Sequence, residues 1–279
     1  MREIKASQVT EAVKRMCIKG NVDLPCDVVS CIEKRLAEED WAPAKEILEN
    51  IVENYRLAAE TGKPICQDTG MAVVFVEIGQ DVHVDGNLEE AINEGVRQGY
   101  REGYLRKSVV ADPIDRVNTG DNTPAVIYYE VVPGDDLVIS IAPKGFGSEN
   151  MSRVAMLRPS DGLQGVVKFI IDTVEQAGPN PCPPVVVGVG IGGTFEKAAM
   201  MAKKALLRPL GEKNPDPVYD ALEDELLEAI NELGIGPQGF GGKTTALAVQ
   251  IEKFPTHIAG LPVAVNISCH VTRHIREVL

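Results

Sequence analysis

"PVVVGVGIGGTFEKAAMMAKKALL", Pro184 to Leu207, decides the fold class. The continuous apolar run reads as a buried strand, because a half-exposed strand would alternate. It ends in glycines and passes directly into a segment with helical apolar spacing. Working outward, "DGLQGVVKFIIDTVEQAG" and "PVYDALEDELLEAINEL" read as helices, and "TTALAVQIEKF" and "LPVAVNISC" as strands. Upstream, "MAVVFVEI" reads as a strand and "NLEEAINEGVRQGYREGYLRKS" as a helix. "AVIYYEVV" and "DLVISIAP" read as two strands separated by the turn signal "PGDD". "KGFGSENMSRVAML" reads as a loop, and "HVTRHIREVL" fits neither period.

Residues 3–19 and 27–61 carry helical spacing, with Ile47, Ile51 and Tyr55 on one face, and Asn21 to Pro25 breaks them. The expected class is therefore α/β: a mixed sheet with helices and a helical N-terminal part. That part is expected over residues 1–62, followed by an α/β part over 63–279 in the same continuous unit.

Composition narrows the function. The balance of 28 basic against 41 acidic residues gives a net charge of −13, which repels phosphate backbones and anionic lipid. Nucleic acid and membrane are thus not expected partners, and an anionic substrate would need a local basic pocket. No apolar stretch reaches the roughly 20 residues of a membrane span. Met1 to Gly20 is charged and lacks the apolar core of a secretion signal. The expected compartment is the cytoplasm. There are six cysteines, but a long chain in a reducing compartment argues against disulfides. Cys17, Cys26 and Cys31, in the helical N-terminal part, are expected to pack as small apolar groups.

Two glycine-rich stretches imitate nucleotide sites. "GVGIGG", Gly188 to Gly193, fits G-x-G-x-x-G after a strand and before a helix. The second strand ending in an acid is missing, so close backbone packing is the better reading, with anion binding at the helix start as a second. "GPQGFGGKTTAL" misses the phosphate-loop spacing, because Pro237 occupies the position that needs glycine. It reads as a glycine-rich turn beside a ligand.

Three further cysteines lie in turns beside apolar strands: Cys66 in "PICQDTG", Cys182 in "PNPCPP" and Cys269 in "NISCH". Prolines stiffen two of these loops by fixing φ. The spacing is neither C-x-x-C nor a ferredoxin run. Separate thiols that converge on a cluster would leave one corner without a protein ligand, and scattered core cysteines are the competing reading.

"ICQDTG", "KGFGSEN", "NPCPP", "GVGIGGTFEKA", "GFGGKTTALAV" and "HIAGLPVAVNISCH" together resemble the α part of the class I, iron–sulfur-dependent fumarases and L-tartrate dehydratases. The likeness runs from about residue 60 to 275 and continues more weakly through the N-terminal helices. It implies the N-terminal-domain fold of that family. By resemblance, Cys66, Cys182 and Cys269 hold a [4Fe-4S] cluster, and the iron left open acts as a Lewis acid. Gln67 and Asp68 then face the substrate, with Asp68 as acid, base or proton relay. Arg106 grips a substrate carboxylate, and His257 contacts substrate. "KGFGSEN" departs from a Gly-Gly-Gly loop at Phe146, which leaves open whether Gly145 or Gly147 offers its amide to substrate.

The resemblance implies an α subunit that works with a separate β subunit, expected as α2β2. The reaction implied is reversible dehydration of (S)-malate to fumarate, with dehydration of L-tartrate to oxaloacetate as the alternative. Oxygen sensitivity follows from an exposed cluster. A nucleotide-binding module built on the two glycine-rich loops is the reading from another class.

Overall fold

The computed structural model describes residues 1–279. The chain begins with β1 (Arg2–Lys5), α1 (Ala6–Val22), α2 (Cys26–Glu38) and α3 (Ala42–Thr61). Next come β2 (Met71–Gly79), β3 (Val82–Asp85), α4 (Leu88–Glu102), β4 (Val126–Val132) and β5 (Leu137–Lys144). The short α5 (Phe146–Glu149), then β6 (Arg153–Leu157), α6 (Gly162–Ala177), β7 (Val185–Gly192) and α7 (Phe195–Ala205) follow. The chain closes with α8 (Pro217–Glu232), β8 (Ala246–Phe254), β9 (Leu261–Ser268) and β10 (Ile275–Val278). The class is α/β with mixed sheets, as the interleaved periodicities require.

The chain forms two compact units. Unit one comprises Met1–Pro25, Tyr55–Phe146 and Arg273–Leu279, and its sheet runs β10-β5-β2-β4. The "PGDD" turn does not close a hairpin: β2 lies between the two strands it joins, antiparallel to β5 and parallel to β4. The ambiguous C-terminus supplies β10, antiparallel to β5. Helices α1 and α4 cover the sheet. Val13, Val96 and Tyr100 meet Val74, Val76, Ile139 and Ile141 in one apolar cluster.

Two departures from the sequence reading lie here. The N-terminus enters as β1, paired with β3, before α1 begins; Ile4 alone on that strand is buried in the core. Helix α4 stops at Glu102 rather than running on to Ser108. Tyr104 takes a left-handed φ of 53°, its N–H donates to Arg101 O, and Leu105 N–H donates to Tyr100 O. This double closure, with buried Leu105 and Tyr100 beneath it, ends the helix and turns the chain.

Unit two comprises Cys26–Asn54 and Gly147–Thr272, with sheet order β6-β9-β7-β8. Every residue of β7 is buried. Val185, Val187, Val189 and Ile191 face α6 and α8, joining Val166, Ile170, Leu226 and Ile230. Each such side chain contributes roughly 1.5–3 kcal/mol through burial, an upper value given residual structure in the unfolded chain. On the other face, a Cβ on Gly188 would lie 2.1 Å from Ala202 O and one on Gly190 2.1 Å from Ala198 O. Helix α7 thus packs its backbone directly on the sheet, which only glycine permits. The "KGFGSENMSRVAML" stretch, expected as a loop, holds the end of β5, all of α5, and β6, which pairs with β9 as an edge strand. No helix is long and apolar enough to cross a membrane.

Candidate active site

In unit one, the "PICQDTG" loop between α3 and β2 is fastened on several sides. Asp68 N–H donates to Cys66 Sγ at 3.4 Å, so the sulfur already accepts a backbone hydrogen bond. The Asp68 carboxylate accepts twice, Oδ1 from Gly70 N–H at 3.0 Å and Oδ2 from Phe146 N–H at 2.9 Å. Its carbonyl accepts from Arg273 Nη2 at 2.9 Å, and Arg273 Nη1 donates to Asn21 Oδ1 at 2.6 Å. Tyr100 donates its hydroxyl to Thr69 O at 2.7 Å. Burial pushes that phenol far above its ordinary pKa, so it stays a neutral donor. Asn122 Nδ2 donates to Gly70 O at 3.2 Å. Gly70 has φ +75°, and a Cβ there would stand 2.7 Å from the Lys144 backbone.

The turn after α4 delivers Arg106 to the same loop. Arg106 N–H donates to Thr69 Oγ1 at 2.9 Å, and the Thr69 hydroxyl donates to Arg106 O at 3.2 Å. The Arg106 side chain is exposed and its guanidinium has no acidic partner in the chain. Gln67 is exposed between Cys66 and Asp68. At Gly145 a Cβ would lie 3.0 Å from Asp68 Oδ2, and buried Lys144 donates Nζ to Gly145 O at 3.3 Å. Cys66, Asp68, Arg106 and Gly145 therefore share one cradle.

In unit two, Cys182 and Cys269 sit at one end of the sheet. Cys182 precedes β7, and Cys269 follows β9, whose Ser268 pairs with Val186. Cys182 has φ 56°, a strained conformation for a residue with a Cβ. Its carbonyl accepts from His270 Nδ1 at 3.0 Å and from His270 N–H at 3.5 Å. The next carbonyl, Pro183 O, accepts from Gln238 N–H at 2.8 Å and Gln238 Nε2 at 2.7 Å.

His257 is not brought to these cysteines. It lies in the exposed β8–β9 loop, where Thr256 Oγ1 donates to Gly193 O at 2.9 Å, at the far end of β7. The 8 residues of β7 span roughly 25 Å. His257 Nδ1 accepts from Ala259 N–H at 3.2 Å, which leaves the ring proton on Nε2. Gly147 lies in α5, whose Glu149 is held by Lys203 and by Asn266 Nδ2.

The remaining cysteines divide. Cys17 is fully buried and burial pushes its thiol up to about 12, which fits a packing role. Cys31 is half-buried and burial likewise raises it. Cys26 is exposed at the start of α2, so the packing expectation fails there. All six are free of disulfides. No three His, Cys, Asp or Glu side chains gather closely enough to share a single metal ion.

Both nucleotide look-alikes are accounted for by packing. Gly188 and Gly190 admit α7, as above. In "GPQGFGGKTT" the anion is internal: buried Glu39 accepts from Lys243 N–H at 2.8 Å and Trp41 N–H at 3.0 Å. A Cβ at Gly242 would press within 2.9 Å of Glu39 Oε2. Sequence reasoning missed the supports Thr69, Tyr100, Asn122, Gln238, His270 and Arg273. Their roles depend on long-range hydrogen bonds, which no local pattern encodes.

A model of the family described as fumarate hydratase (Fumerase) matches residues 10–278. The chain belongs to this family, whose chemistry is that of hydro-lyases. It is 42% identical over 273 residues to a Methanocaldococcus jannaschii protein provisionally named L(+)-tartrate dehydratase subunit alpha, covering 95% of each chain. Proteins named L(+)-tartrate dehydratase subunit alpha from Escherichia coli are also similar. The UTI89 protein is 35% identical and the K12 protein 34%, each over 96% of this chain and 89% of its own.

Proposed function

We propose that this chain is the α subunit of a cytoplasmic iron–sulfur hydro-lyase that reversibly dehydrates (S)-malate to fumarate. The observation that carries the reading is the cradle in which Thr69 latches Arg106 beside Cys66 and Asp68. A guanidinium with no acidic partner, on a residue whose backbone is latched to the loop that carries a thiol and a carboxylate, suits capture of a substrate carboxylate.

Cys66, Cys182 and Cys269 are the proposed ligands of a [4Fe-4S] cluster. The donor chemistry fits: all three are unbridged, and none is fully buried as Cys17 is. The N–H on Cys66 Sγ is the kind of bond that tunes cluster thiolates. Thiolates on separate corners of a cluster stand farther apart than ligands of one ion, so the lack of a single-ion site is no objection. When bound, the cluster would supply Lewis acidity at an iron no thiolate holds.

Arg106 holds one substrate carboxylate in a bidentate grip. Gln67, exposed beside it, contacts the same substrate. Asp68 moves the proton at C3 or relays it; each oxygen accepts one backbone N–H and retains a second lone pair. Phe146 N–H is already given to Asp68, so Gly145 and Gly147 on either side are proposed to meet the substrate. His257, at the opposite end of β7 from Cys182 and Cys269, is proposed to contact substrate from a second copy of the chain in an α2β2 assembly. One exposed arginine does not neutralise a dianion against a net charge of −13, so a β subunit is proposed to bring further cations.

The names of the relatives favour a second reading, dehydration of L-tartrate to oxaloacetate. Anaerobic turnover of both substrates by the reconstituted α–β complex decides between them. Fumarate formed from malate supports the first reading, faster oxaloacetate release from tartrate replaces it with the second, and turnover of neither overturns both.

A further inference from the structure

We propose that His270 and Gln238 are positioning residues that fix the Cys182 and Cys269 loops against each other before any cluster is bound. The proposal rests on the reading of these cysteines as cluster ligands.

Cys182 and Gln238 both occupy the left-handed region, at φ 56° and 52°. Neither is glycine, so each conformation needs outside support. The support is reciprocal. His270 spends its ring Nδ1–H and its backbone N–H on Cys182 O. Gln238 spends its side-chain and backbone N–H on Pro183 O. Two consecutive carbonyls are thus each held by two donors from one residue.

His270 directly follows Cys269, so its bond to Cys182 O ties one thiol-bearing loop to the other. Gln238 Nε2 stands 3.3 Å from His270 Nδ1. Since the Nδ1 proton goes to Cys182 O and the amide proton to Pro183 O, this approach packs the two donors side by side. The glycine-rich loop is what brings Gln238 there: a Cβ on Gly239 would meet Pro179 Cβ at 2.4 Å, and one on Gly236 would meet Gly241 O at 1.7 Å. The stretch that imitates a phosphate loop is instead a brace for the Cys182 turn.

The test uses the full chain with two readouts. Nitroxide labels on Cys182 and Cys269, with the other four cysteines changed to serine, report the loop spacing in the metal-free chain by dipolar broadening. The rate at which a chelator bleaches the reconstituted chain reports cluster retention. His270→Leu should blur the label spacing and speed bleaching about tenfold. His270→Asn places an amide N–H near the ring Nδ1–H and should restore both; His270→Gln, which reaches toward Nε2, should not. If His270→Leu does not fold, Gln238→Met, which keeps the backbone donor, should shift both readouts the same way by several-fold. Unchanged spacing in the variants, or rescue by Gln equal to Asn, overturns the proposal. A wild-type chain that takes up no cluster overturns the ligand reading instead, while the label spacing still decides whether the brace exists.

Discussion

Thr69 and Arg106 exchange two hydrogen bonds, Arg106 N–H to Thr69 Oγ1 at 2.9 Å and the Thr69 hydroxyl to Arg106 O at 3.2 Å. Thr69 is 2% exposed, so its hydroxyl has no water to fall back on. This buried pairing holds the backbone of the residue proposed to grip substrate.

Thr69→Val keeps the shape but removes both bonds. It should cost about 1–3 kcal/mol of stability, because the Arg106 N–H and C=O lose a buried partner. KM should rise several-fold with a smaller fall in kcat, and Thr69→Ser should recover most of both. Steady-state kinetics beside a denaturant melt check this; an unchanged KM would dissociate the latch from substrate binding.

Asp121 gives the fold an acid-sensitive joint. Burial acts to raise its pKa, but bonds from Thr123 N–H, the Thr123 hydroxyl and Arg97 outweigh it and hold the carboxyl at about 2. A pKa lowered on folding stabilises the fold above the ordinary carboxylate value of about 4 and loses that effect as pH falls through 2. Asp121→Asn should therefore flatten the stability profile between about pH 4 and 2. The measurement is denaturant melts across that range, and parallel profiles for variant and wild type would contradict it.

Gly188→Ala or Gly190→Ala should destabilise by about 1–3 kcal/mol or more, since each Cβ would be driven into the α7 backbone. Neither variant should alter nucleotide affinity, because the motif serves packing. Saturable NAD binding to the wild type, lost in these variants, would restore the dinucleotide reading.

How much of this was legible follows from the range of each interaction. The β7–α7 unit announced itself through a local period, and the packing role of the glycines within β7 through the missing second strand. β10 hid because a four-residue edge strand has too few residues to show alternation. Arg106 was nameable as a candidate, but its route off α4 was not, since Tyr104 closes the helix without the usual glycine. The brace joins Gln238 to Pro183, 55 positions apart, and His270 to Cys182, 88 positions apart, which no sequence period encodes.

An isolated α chain should hold a cluster yet turn over slowly, since Arg106 is the exposed cation of the cradle while Arg273 and Lys144 are buried on backbone carbonyls. Titrating purified β chain into cluster-loaded α chain under anaerobic conditions should restore activity to saturation. Full activity from α alone would mean that the charge this account assigns to the partner is already present.

The central claim is that Cys66, Cys182 and Cys269 are cluster ligands and the other three cysteines are not. The most direct measurement is iron and acid-labile sulfide per chain, taken anaerobically on all six single Cys→Ser variants. Serine is a harder ligand and matches iron–sulfide chemistry poorly. The account predicts that iron and sulfide collapse for Cys66→Ser, Cys182→Ser and Cys269→Ser and stay at the wild-type level for Cys17→Ser, Cys26→Ser and Cys31→Ser. Equal loss across all six, or full retention in any of the first three, would contradict it.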